Sequence, residues 1–136
     1  MLRSTIMAHM DEALNESKYR FKQLQEIDSE VKWDDLVKVV EPYHLASNIG
    51  RNLISTESML RIYFLQRRYK MSASKVEEAL FQIDVLRKFA KIALDSGVIP
   101  HNSCIDSFEA LIKEHQLENL VEMAFEFEPL VESLTD

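Results

Sequence analysis

Two glycines and three prolines in 136 residues leave this chain little turn chemistry for β-hairpins, so its apolar residues must find one another through helical spacing. In the N-terminal third, Met7, Met10, Leu14, Phe21 and Leu24 recur at intervals of three, four and seven, predicting a helix from about Met7 to Gln25. Asp34 and Asp35 then precede Leu36, Val37, Val39 and Val40, an acidic helix start, and Glu41-Pro42 is expected to stop this short second helix. From Tyr43 to Ile54, with Ser47, Asn48 and Gly50, no period survives and a loop is expected.

Ser55 is the expected N-cap of a strong helix whose core face carries Met59, Ile62, Tyr63, Leu65 and the stretch from Gln66 to Tyr69, with Arg61, Arg67, Arg68 and Lys70 projecting elsewhere. A break falls at Met71-Ser72. Ser74 and Glu77 have capping-box spacing, with Ser72 as the alternative cap, and Val76, Ala79, Leu80 and Ile83 form the next stripe. Leu86, Phe89, Ala90 and Ala93 continue a helix after Asp84. Gly97 to Asn102, with Pro100, is the clearest interior break; Asn102 or Ser103 then caps a helix carrying Ile105, Phe108, Leu111 and Ile112. A last helix carries Leu117, Leu120, Val121, Ala124, Phe125 and Leu130, with Pro129 bending or ending it.

The expectation is an all-α, single compact bundle of six or seven helices with a helix-turn-helix-like element near residues 56 to 83. Its divisions are an N-terminal helix over 1–32, a core over 33–117 and an acidic C-terminal helix over 118–136. A chain of this length buries roughly two thirds of the surface exposed when unfolded, so it needs no staples. The single cysteine, Cys104, excludes an internal disulfide framework and fits a reducing compartment, with the cytoplasm as the default. No apolar run approaches the roughly 20 residues of a membrane span, and the start, MLRSTIMAHMDEAL, lacks the apolar core of a signal peptide, so a soluble, unexported protein is expected.

Charge is segregated. The protein is acidic at -7, yet residues 51–91 hold nine Lys/Arg against four Asp/Glu, and residues 92–136 hold one against ten. Such a pattern suits an anion in the middle and a cation at the end. Arg51, Arg61, Arg67, Arg68, Lys70, Lys75, Arg87, Lys88 and Lys91 are candidates for a phosphate-tracking surface, with Tyr63 and Tyr69 nearby. Six neutralised phosphates would give a salt slope of about -5. The bland alternative is a solvated face paired with local carboxylates.

The chain also resembles the N-terminal, InsH-type domain of DDE-class insertion-sequence transposases. The matching stretches lie between Val39 and Leu117: VVEPYH, then GR, then ESMLRIYFLQRRYKMSASKVEEALFQIDVLRKFAKIALDS, the Pro100 break and IDSFEALIKEHQL. MLRI at Met59 to Ile62, EEAL at Glu77 to Leu80 and EHQL at Glu114 to Leu117 carry it most strongly. The resemblance implies a helical region that binds transposon ends, double-stranded DNA, ahead of an RNase H-like catalytic domain whose metal-binding acidic triad lies downstream. A non-catalytic DNA-binding module is therefore expected, not an enzyme, with the helix after Pro100 toward a groove. Relatives usually carry a basic, proline-rich turn where this chain has Asn52, Leu53 and Ile54, and basic residues where it has Asn102 and Glu109.

A stand-alone interaction protein, an inhibitor or regulator, is the alternative. Glu118, Glu122 and Glu126 recur every four residues, followed by Glu128 and Glu132. Such a row serves as a solvated face, an intramolecular cover for the basic middle, or a nucleic-acid-mimicking strip for a protein partner with a basic surface. Phe125, Phe127 and Leu130 offer an apolar strip for a partner or a homodimer. His101, Cys104 and His115 supply too few ligands for a closed zinc site, Cys104 has no evident base, and two glycines cannot build a phosphate loop, so no metal or cofactor is expected. Adjacent carboxylates such as Glu77-Glu78 diverge by about 100 degrees on a helix and share no site. Trp33 is expected to anchor the core.

Overall fold

Helix α3, Thr56–Tyr69, runs through the middle of the bundle and is buried on every side from Ser58 to Gln66. A helix apolar all round belongs inside other helices. The structure, a computed structural model, describes residues 23–47, 54–92 and 98–125. Around α3 lie α1 (23–30), α2 (Trp33–Ser47), α4 (Ala73–Gln82), α5 (Asp84–Ala90), α6 (Asn102–Glu114) and α7 (Glu118–Phe125). The fold is an all-α bundle, with seven helices and no strand among the described residues. None of the helices there is long and apolar enough to cross a membrane.

The core joins Leu24 and Ile27 of α1, Trp33, Leu36 and Val40 of α2, the α3 face, Val76 and Leu80 of α4, Leu86 and Phe89 of α5, Ile105, Phe108, Leu111 and Ile112 of α6, and Val121 of α7. Trp33 is the anchor its surroundings suggested: its ring meets Phe64 at 6.1 Å, Phe89 at 6.0 Å and Phe125 at 5.8 Å, mostly edge-on.

Several expected boundaries move. The first helix continues past Gln25 to residue 30, while Met7, Met10, Leu14 and Phe21 lie outside the described residues. Pro42 does not end α2, which runs on to Ser47. Proline removes the N–H that the Lys38 carbonyl would receive. Tertiary contacts keep the next turn helical: His44 is buried and shares a 2.6 Å hydrogen bond with the Thr56 hydroxyl, Tyr43 stacks on His115 at 4.0 Å, and Ser47 Oγ donates to the His44 carbonyl.

Ser55 caps α3 as expected, its Oγ accepting from Ser58 N at 3.1 Å. Of the two alternatives for α4, Ser72 is the cap, accepting from Lys75 N at 3.1 Å. Glu77 instead reaches across to α6, where Oε1 accepts from Asn102 N and Nδ2, each at 3.2 Å. That helix is capped not by Asn102 or Ser103 but by His101, whose Nδ1 accepts from Ser103 N at 3.1 Å. An imidazole nitrogen two residues from the amide replaces the usual hydroxyl or carboxamide. Ala93, Phe127, Pro129 and Leu130 lie outside the described residues.

Candidate nucleic-acid interface

Of the nine cations grouped by sequence, the eight among the described residues do not form one surface. Arg61 and Arg87 are internal, which corrects the expectation that both face a phosphate track. Arg61 is 3% exposed because its neighbours on α3 are buried all round, and the fold gives its guanidinium a complete set of partners. It pairs with Asp28 at 2.7 Å and Glu57 at 2.9 Å, donates to the Phe89 carbonyl at 2.9 Å and lies 4.5 Å from the Trp33 ring centroid. One side chain thus ties α1, α2, α3 and α5. Burial pushes the Glu57 carboxyl up, but hydrogen bonds from Lys91 and Arg61 outweigh it and hold its pKa below the ordinary carboxylate value. Arg87 donates to the Leu80 carbonyl at 2.5 Å and the Phe81 carbonyl at 2.9 Å, satisfying the last turn of α4, with Asp84 at 3.2 Å.

Lys88 and Lys91 are exposed but engaged, Lys88 with Asp84 at 3.2 Å and Lys91 with Glu57 at 3.1 Å. They sit on α5 and its C-terminal residue. Arg51 lies outside the described residues. The cations at the α3–α4 turn are Arg67, Arg68, Lys70 and Lys75.

This turn is built locally. Lys70 takes the left-handed conformation, φ 53°, that a glycine would adopt at a helix end, and its N–H donates to the Gln66 carbonyl. Gln66 Nε2 donates to the Met71 carbonyl, closing the loop against Ser72. Beside it opens a cleft of about 510 Å³ with Tyr63, Gln66, Arg67 and Lys70 on the α3 side, Ser72 and Ala73 at the start of α4, and Asp106 and Glu109 on α6. Its walls carry opposite charge. Tyr63 is fully buried, its hydroxyl has no hydrogen-bond partner, and burial raises its pKa. Arg67 opposes that rise, whereas Glu122, Glu109 and Glu118 add to it.

Arg67 is 44% exposed, pairs with Glu122 of α7 and lies 5.9 Å from the Tyr63 ring centroid. Glu118 is half-buried on the same helix, and Glu126, Glu128 and Glu132 lie outside the described residues. The internal network around Arg61 was the main omission of sequence reasoning. Its legible trace was Glu57 four residues before Arg61, a spacing at which opposite charges meet on a helix. No group of three His, Cys, Asp or Glu side chains is placed to hold a metal ion among the described residues.

Residues 9–111 match a family model described as Transposase domain (DUF772). No solved structure matches the chain.

Proposed function

The chain belongs to the transposase-domain family, and from that premise we propose that it serves as a transposase-derived, non-catalytic module that holds the backbone of double-stranded DNA. The observation that carries the reading is the grouping of Arg67, Arg68, Lys70 and Lys75 around one short turn, where the first amides of α4 also emerge. Cations and helix-start amides together suit a phosphate, and contacts of this kind position a protein on a duplex without reading bases. Helices α3 and α4, joined by residues 70–72, are read as a helix-turn-helix-like pair with left-handed Lys70 in the place often held by glycine. Sequence preference is expected to be low. The acidic Asp106 and Glu109 argue against α6 as the groove-entering helix.

The titration that tests this uses the full chain and a random-sequence duplex over a salt series. Lys70→Gln with Lys75→Gln should weaken binding and reduce the slope of log K against log salt by about 2, near 0.9 per lost phosphate contact. An unchanged slope, or no binding at about 20 mM salt, removes the proposal.

A protein partner with a basic surface is the second reading, favoured by the exposure of Leu120 and Met123 beside the acidic residues of α7. It is the weaker one, because Glu122 already has a cation in Arg67.

A further inference from the structure

Arg67 is one of the exposed cations at the α3–α4 turn, and a carboxylate of the same chain holds it. Glu122 reaches it from α7, a helix seated by apolar contacts: Val121 is wholly buried, and the Phe125 ring meets Phe64 at 4.9 Å and Trp33 at 5.8 Å. The acidic helix thus has apolar contacts of its own beside the ion pair. Both partners of the pair are more than 40% exposed, so the contact is weak and open to competition from solvent ions. Across the cleft, Asp106 and Glu109 of α6 extend the negative wall facing Arg67 and Lys70.

We propose that Glu122 is an autoinhibitory residue: it occupies Arg67 as a stand-in for a DNA phosphate, so nucleic acid must displace a carboxylate side chain, not a helix, to use that arginine. This rests on the DNA-binding reading above and names how that site is regulated. A tethered competitor of this strength sets a threshold. An isolated phosphate gains little over the carboxylate it replaces, whereas a duplex that also engages Lys70 and Lys75 brings its phosphate to Arg67 at high local concentration.

The test is a duplex titration by fluorescence anisotropy with the full chain. Glu122→Gln should tighten binding by about two- to threefold at low salt and steepen the salt slope by about 0.9, as one more phosphate is neutralised without freeing a carboxylate. Glu114→Gln removes the same charge from a 76% exposed site beside His115, and should change affinity much less. In an Arg67→Gln background the gain from Glu122→Gln should vanish. Equal effects of the Glu122 and Glu114 substitutions, or a gain that persists without Arg67, overturns the proposal while leaving DNA binding intact. Absence of binding by both the wild type and Glu122→Gln overturns it together with the reading beneath it.

Discussion

Two arginines of α3, Arg61 near its middle and Arg67 near its C-terminal end, serve in opposite ways. Arg61 is enclosed by Trp33, Phe89, Asp28 and Glu57, and its charge is spent on holding helices together. Arg67, near the C-terminal end, stands at the surface with one carboxylate and the face of Tyr63. Charge is the same at both positions; desolvation differs. A buried guanidinium persists only with its donors matched, so its partners are fixed by the fold, while a surface guanidinium keeps water as an alternative and remains exchangeable.

Arg61→Met should produce the largest loss of stability, about 2–4 kcal/mol in urea unfolding. The lower part of that range is favoured because Asp28 still receives Trp33 Nε1 at 2.9 Å and Glu57 still has Lys91. Arg61→Lys should recover only part, since one ammonium cannot reproduce the fork that serves two carboxylates and a carbonyl. A change below 1 kcal/mol would erase the contrast between the two arginines. Next in size, Arg87→Met should cost about 1.5–3 kcal/mol, because the Leu80 and Phe81 carbonyls lose a charged donor.

That contrast shows where sequence is informative. Helical spacing found the described helices from α2 to α7 because burying an apolar stripe is a local pattern, and it found Ser55 because a cap lies next to what it caps. It placed Arg61 outside on the same logic: a single stripe implies a wet opposite face. The run MLRIYFL, apolar on nearly every side, was the sign that α3 has no wet face there. Pro42 misled for the complementary reason. The local cost of a missing N–H was legible, but the contacts of Tyr43 with His115 and His44 with Thr56 span long stretches of chain. Arg67 was assigned to the surface from position alone, yet its pairing with Glu122 depends on the docking of α7, which no spacing rule supplies.

Titration sharpens the comparison within the interior. Burial lowers the His44 pKa against a smaller opposing effect of Glu41, while its Nε2 has no partner. The unfolded chain binds that proton near pH 6.5, whereas the folded chain resists it. Stability is therefore full above pH 6.5 and falls as pH drops below it, until the folded-state value is passed. Thermal melts across this range should show the decline, and His44→Asn should flatten it. Glu57, held below the ordinary carboxylate value, acts in a lower window: its contribution is present above about pH 4.5 and is lost as pH falls through its folded-state value. If both losses shared one window, Glu57 rather than His44 would be responsible for them.

The smallest stability effect belongs to Arg67. Exposed ion pairs contribute about 0–1 kcal/mol, and Arg67→Gln retains most of the side chain that covers Tyr63. The expected loss in urea unfolding is below about 0.5 kcal/mol and shrinks further as added salt screens the pair. The same substitution should cost more in duplex binding in the Glu122→Gln background than in the wild type: with Glu122 present a phosphate must first displace the carboxylate, and with Glu122→Gln the arginine is free to meet it. A loss above 1 kcal/mol would mean that the Arg67–Glu122 pair fastens α7 to α3 as Arg61 fastens its neighbours, and the two arginines would then serve the same purpose.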